Sequence, residues 1–155
     1  MTAISYDPLL TDIYEVIREK IGDNSTLTGI LGVRTPTDML RVYRMHPVTA
    51  ATYPLVIMYL AGTDFFNHRG ISVDFNINFS TYEKSVNKTN TDIISRELVG
   101  IFGDPGRQTK FNNDNTKIDQ IIMSGGGFER FDDKFKTWIT TIGIVVTARR
   151  KSHIF

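Results

Sequence analysis

From Ile71 to Tyr82 the chain alternates apolar and polar side chains almost without error. Strand side chains point to opposite faces with period two, so Ile71, Val73, Phe75, Ile77 and Phe79 share a core side, while Ser72, Asp74, Asn76, Asn78 and Ser80 face water. This is the pattern of a half-buried strand, and a sheet with one wet face is usually antiparallel. Ahead of it, Leu55 to Ala61 is apolar on both parities and predicts an interior strand covered on both faces, with Pro54 at its start where a missing amide costs little. Between the two, 62–70 reads as a long hairpin loop containing Phe65, Phe66 and Arg69.

Helical spacing appears twice. Asp7-Pro8 is a helix start, and Leu9, Leu10, Ile13, Val16, Ile17 and Ile21 repeat at helical intervals, predicting a helix over 8–21 stopped by Gly22. Ile94, Leu98, Ile101 and Phe102 predict a second over about 91–102, ended by Gly103. A short further helical turn fits 28–32. The stretch 33–52 is irregular and carries one short strand near 40–45, and 107–117 is polar and aperiodic, hence a loop. Near the end, 118–124 reads as a strand that the Gly125-Gly126-Gly127 run interrupts and Phe128 to Phe131 resumes. A turn at Asp132-Asp133 leads to a last strand over about 134–148. In that strand Trp138, Ile142, Ile144, Val146 and Ala148 share one face, with Thr137, Thr141 and Thr147 on the other.

The order α-β-β-β-α-β-β predicts an α+β fold in which two main helices pack on one face of an antiparallel sheet, a mixed sheet being the alternative. A chain of 155 residues with 41% hydrophobic content suits a single domain, with exposed loops and a short basic tail, Arg149 to Phe155. The formal charge of +1 argues against a dedicated DNA binder. The absence of cysteine removes disulfides, thiolate nucleophiles and Cys-ligated zinc. The start of the chain has no secretory signal and no stretch reaches membrane-spanning length, so the expected compartment is cytosolic; the sequons at Asn24, Asn78 and Asn87 are then chance matches.

Catalytic chemistry finds little support. His46, His68 and His153 are scattered without ligand spacing. The triple glycine lacks the following helix and Lys-Ser/Thr pair of a phosphate cradle, and reads as a bulge or a flexible arm. Asp132 and Asp133 are ordinary turn formers, and no serine sits in a nucleophile elbow. No cofactor or metal is expected. Arg34, Arg41 and Arg44, with Tyr43 among them, suit phosphate contacts or, more simply, a solvated or subunit-bridging set. The Phe65-Phe66 pair on a loop tip, the very long final strand and the doubly apolar strand suit burial against neighbouring subunits.

Taken together, the helix at 9–21, the Tyr53-Pro54-Leu55-Val56-Ile57 strand entry, the 71–82 strand, the 92–102 helix and the long closing strands resemble tail terminator and tail completion proteins of long-tailed bacteriophages. The likeness covers most of the chain as a pattern of elements, and fits 33–52 and 107–117 least well. It implies a homo-hexameric ring that sits on the tail tube, ends its polymerisation and meets the head connector or neck proteins. DNA would pass through the lumen without specific binding, and no membrane would be involved. The resemblance also implies a virion location in the tail or neck, after assembly in the host cytoplasm. On that reading Phe65, Phe66, Arg69, Gly125, Gly126, Gly127, Phe128 and Arg130 are interface candidates, and Arg34, Arg41, Arg44, Asp74 and Asn76 are secondary interface or lumen candidates. A tube subunit or head-closure protein is the near alternative; a small nucleic-acid-binding module or enzyme is the distant one.

Overall fold

The alternating segment becomes a central strand. The computed structural model describes residues 6–33, 40–45, 52–64, 73–84, 88–103 and 116–150. In chain order the elements are α1 (Tyr6–Gly22), α2 (Ser25–Leu31), β1 (Val42–Tyr43), β2 (Leu55–Asp64), β3 (Val73–Glu83), α3 (Thr89–Phe102), β4 (Thr116–Asp132) and β5 (Thr137–Arg150). The strands form one five-stranded sheet in the order β1-β2-β3-β5-β4.

The period-two expectation for β3 holds from Val73 to Phe79 and breaks at Ser80, which was expected to face water but is buried, as are Thr81 and Glu83. Val73, Phe75, Ile77 and Phe79 are buried among residues of all three helices, together with Ile144, Val146 and Ala148 of β5 and Ile118 and Ile121 of β4. The Phe79 and Phe102 rings stack at 5.4 Å, fastening α3 to the sheet. Helices therefore cover one face, as the amphipathic stripes of α1 and α3 require.

The architecture is α+β, but the sheet is mixed. β1 runs parallel to β2, pairing Val42 with Val56 and Tyr43 with Ile57, whereas β2–β3, β3–β5 and β4–β5 are antiparallel. Just before β1 the Arg41 amide donates to Leu31 O at 2.8 Å, and its carbonyl accepts from the Val56 amide at 2.9 Å, so this stretch is held between the end of α2 and β2. Two residues of alternation carry no sign of the strand's direction.

Other boundaries also move. The short turn expected near 28–32 is a full helix, α2, started by Asn24, whose Oδ1 accepts from the Leu27 amide at 3.0 Å. Asn24 Nδ2 also donates to Glu97 Oε2 at 3.0 Å, tying α2 to α3. The glycine run does not split β4, which continues from Thr116 to Asp132 with register shifts at 118/120, 123/125 and 125/128. Extra residues bulge out there while β5 continues on the other side, so the bulge reading holds and the interruption does not. The last strand starts at Thr137 because 133–136 form the turn: Asp132 Oδ1 accepts from the Lys134 and Phe135 amides at 3.0 and 3.2 Å, and Lys136 takes φ 52°.

Only the first half of β2 is covered on both faces. Leu55, Val56, Ile57 and Met58 are buried, but Tyr59 and Leu60 are 39% and 37% exposed. The two residues of β1 shield the start of β2 and no more.

Candidate assembly surfaces

The sheet face away from the helices carries a polar row. Asp74, Asn76, Asn78, Ser80 and Tyr82 of β3 stand beside Thr147, Val145, Gly143, Thr141 and Ile139 of β5. Cross-strand bonds fix them: Thr147 Oγ1 donates to Asp74 Oδ1 at 2.6 Å, and the Ser80 and Thr141 hydroxyls pair at 3.0 Å. Asn78 Nδ2 donates to the Tyr59 hydroxyl at 3.3 Å. At Gly143 space is tight: a Cβ would lie 2.5 Å from Ser124 Oγ and 2.8 Å from Asn78 Oδ1, so both side chains would have to move to admit one. Amides and hydroxyls dominate the row, and its one carboxylate, Asp74, is engaged by a hydroxyl. Such a surface is wettable without being a strong binder of either sign of charge.

At the Tyr82 end of this face lies a cavity of about 390 Å³, lined by Tyr53, Tyr82, Lys84, Asp132, Phe135, Thr137 and Ile139. Thr137 and Ile139 in its lining are buried, while Phe135 is 58% exposed. The Lys84 ammonium sits 4.9 Å from the Tyr53 ring centroid, a cation held on an aromatic face. Burial pushes the Tyr82 hydroxyl above the ordinary phenol range, Tyr59 and Tyr53 add to this, and Arg130 opposes it. The lining comes from the approach to β2, the end of β3 and the β4–β5 turn with the start of β5, three separate stretches of sequence whose convergence has no local signal.

Both flanks of the sheet have strand edges without a partner strand among the described residues. On one flank β2 extends beyond its short pairing with β1. On the other lies the whole outer side of β4, where Ile122 and Phe128 are 46% and 79% exposed. Gly125, Gly126, Gly127, Phe128 and Arg130 thus all lie on this edge strand. Its far end is anchored by the tilted ring pair Phe131–Trp138 at 5.1 Å and by Lys88 Nζ donating to Glu129 Oε2 at 3.0 Å. That bond raises the Lys88 ammonium above its ordinary value, but the pair is exposed and is worth little.

Of the arginines, Arg41 donates Nε to Pro54 O at 2.9 Å and Nη2 to Ile30 O, bridging the end of α2 to the entry of β2. The Arg44 guanidinium lies 4.3 Å from the Tyr14 ring centroid. Arg18, not singled out in the sequence, donates to Val42 O and Leu40 O at 3.2 and 2.9 Å. Asp74 and Asn76 occupy the polar row. Phe65, Phe66, Arg69 and Arg34 lie outside the described residues, as do the three histidines. Among the described residues no cluster of three His, Asp or Glu side chains is placed to hold a metal ion, and no helix is long and apolar enough to cross a membrane.

No protein-family model and no curated protein sequence matches the chain. Among solved structures it is similar to a chain from the virion of a native gene transfer agent (GTA) particle, with a TM-score of 0.70 and 10% sequence identity, over 94% of this chain and 99% of that one. At that identity the likeness is one of fold.

Proposed function

We propose that this chain is a structural virion protein that caps a phage-type tail tube as a homo-hexameric ring, ends tube polymerisation and forms the joint to the head connector. The observation that carries the reading is the pair of strand edges on opposite flanks of one sheet, β2 and β4, that have no partner strand among the described residues. Two different edges on one subunit suit a heterologous contact, in which each copy offers one flank to the next and the rotation closes a ring. The fold shared along nearly the whole length of a chain from a gene transfer agent virion supports the same class.

The parts fall into roles on this reading. The polar row with Asp74 and Asn76 faces the lumen, where amides and hydroxyls let DNA pass without holding it; the chain's formal charge of +1 agrees with that. The 124–134 arm, with Phe128 and Arg130 outward, meets the next copy or the tube, and Phe65, Phe66 and Arg69 make a second contact. The protein acts through shape rather than catalysis. Its partners are its own copies, the tail tube protein and the connector or neck proteins, and its place is the tail or neck of the virion.

Light scattering after size-exclusion chromatography, with negative-stain images of the same fractions, tests this. Closed rings that bind the end of tail tubes and stop their growth are the expected result. Filaments of this chain alone would mark it instead as a tube subunit. A species that neither closes nor caps added tubes would remove the reading.

A further inference from the structure

The Tyr82-end cavity lies at one end of the sheet, and Asp64, the residue before Phe65 in the sequence, lies at the other. Leu55, beside the cavity wall, and Asp64, the last residue before Phe65, are the two ends of the 10-residue β2, about 30 Å apart at strand rise. Residues 65–72 join Asp64 to Val73, and a connection of that length, out and back, reaches about 14 Å beyond its anchors at full extension. A copy therefore cannot fill its own cavity with its own phenylalanines. The pair is the only adjacent aromatic pair in the chain, and the opening is walled by Tyr53, Tyr82, Phe135 and Ile139. Its volume of about 390 Å³ is near the lower end of the range for sites that take small groups, about 300–1,000 Å³. It admits aromatic side chains and not a folded element. Charge agrees as well: Arg69 follows the phenylalanines, and Asp132 lines the cavity with a carboxylate of which only Oδ1 is engaged by the turn among the described residues.

We propose that Phe65 and Phe66 of one copy dock in the Tyr53, Tyr82, Phe135 and Ile139 cavity of a second copy, with Arg69 against Asp132. Knob and hole then belong to different ends of each subunit, so the contact is directional and each copy both gives and receives. The proposal deepens the ring reading above and rests on it for the closed arrangement of the copies; the docking itself needs only two of them.

The test uses two full-length variants and one probe. F65A/F66A keeps the hole and loses the knob. F135E keeps the knob and puts a carboxylate at the cavity rim, on a turn side chain exposed enough to be replaced without unfolding, which circular dichroism verifies. The probe is a fluorescent synthetic peptide of residues 62–70, titrated by anisotropy into F65A/F66A protein, whose cavities are empty. Binding is expected, and addition of F135E to that protein should weaken it by about tenfold or more, the worth of one large apolar contact. Mixing F65A/F66A with F135E should restore a contact that neither variant makes with itself, because the pair shares a single intact knob and a single intact hole. No peptide binding to F65A/F66A, or equal binding after F135E is added, would overturn the docking. Intact docking in a protein that fails to cap tail tubes would remove the terminator reading alone.

Discussion

Arg41 shows how a charged side chain in an irregular stretch is committed to the fold. Its guanidinium donates to the carbonyls of Ile30 and Pro54, its amide donates to Leu31 O, and its carbonyl accepts from Val56 N at 2.9 Å. The carbonyl at Ile30 is one that the end of α2 leaves without an intrahelical donor, and a planar fork can reach it and the β2 entry together. Arg41→Ala should cost about 2–4 kcal/mol, two charge-assisted bonds to backbone, read as a lower denaturant midpoint at unchanged slope. Arg41→Lys should recover little, since one ammonium cannot span both carbonyls. In the sequence Arg34, Arg41 and Arg44 look alike. What separates Arg41 from Arg44 is only what folds beside each: two carbonyls for one, the Tyr14 ring for the other.

Among the elements, β3 and β4 differ in how plainly the sequence announces them. The alternation of β3 is legible because one face must be dry and the other wet, and a one-residue slip would invert every side chain. β4 is less legible because three register shifts break the period, and glycines that read as a break are instead accommodated along a continuous partner, β5. The glycines of these two strands differ in turn. A Cβ on Gly125 meets nothing within 4 Å, while one on Gly143 meets Ser124 Oγ and Asn78 Oδ1 inside 3 Å. Gly125→Ala should change stability by less than about 0.5 kcal/mol. Gly143→Val should cost about 1–3 kcal/mol through overpacking. Chemical denaturation of the two variants beside the parent checks both, and a large loss at Gly125 would mean that its backbone, not its lack of a side chain, holds the bulge.

For the molecule as a whole, one buried and one part-buried phenol contribute to stability at high pH. Burial raises Tyr14 and Tyr82 above the ordinary value, only partly offset by Arg44 and Arg130 respectively. A raised folded value means that the neutral form is preferred in the fold. The contribution is whole below the unfolded phenol value, about 10, and is lost as pH rises through the folded values. The protein should therefore keep this contribution up to about pH 10 and lose it progressively beyond. In near-ultraviolet phenolate absorbance, Tyr14→Phe and Tyr82→Phe should each remove a late-titrating step. A titration in which all tyrosines ionise together at the free value, with the fold intact, would contradict the burial argument. The same cavity that holds Tyr82 is the proposed receptor for a neighbour's phenylalanines, so occupancy should push that step later still.

What the sequence alone determined is what local periodicity encodes: two amphipathic helices, a half-wet strand, a doubly apolar strand entry and an α+β layering with helices on one face. Those follow because the spacing of apolar residues must match the repeat of the element that buries them. Tertiary structure decided the rest. Only folding brings Leu31, Arg41 and Val56 together beside a parallel β1, carries β5 past the glycine run so that β4 stays one strand, and ends the pairing of β2 with β1 at Ile57. Only folding gathers Tyr53, Tyr82, Asp132, Phe135 and Ile139 around one opening. Contacts between residues far apart in the chain depend on which strands become neighbours, and no local repeat in the sequence records that choice.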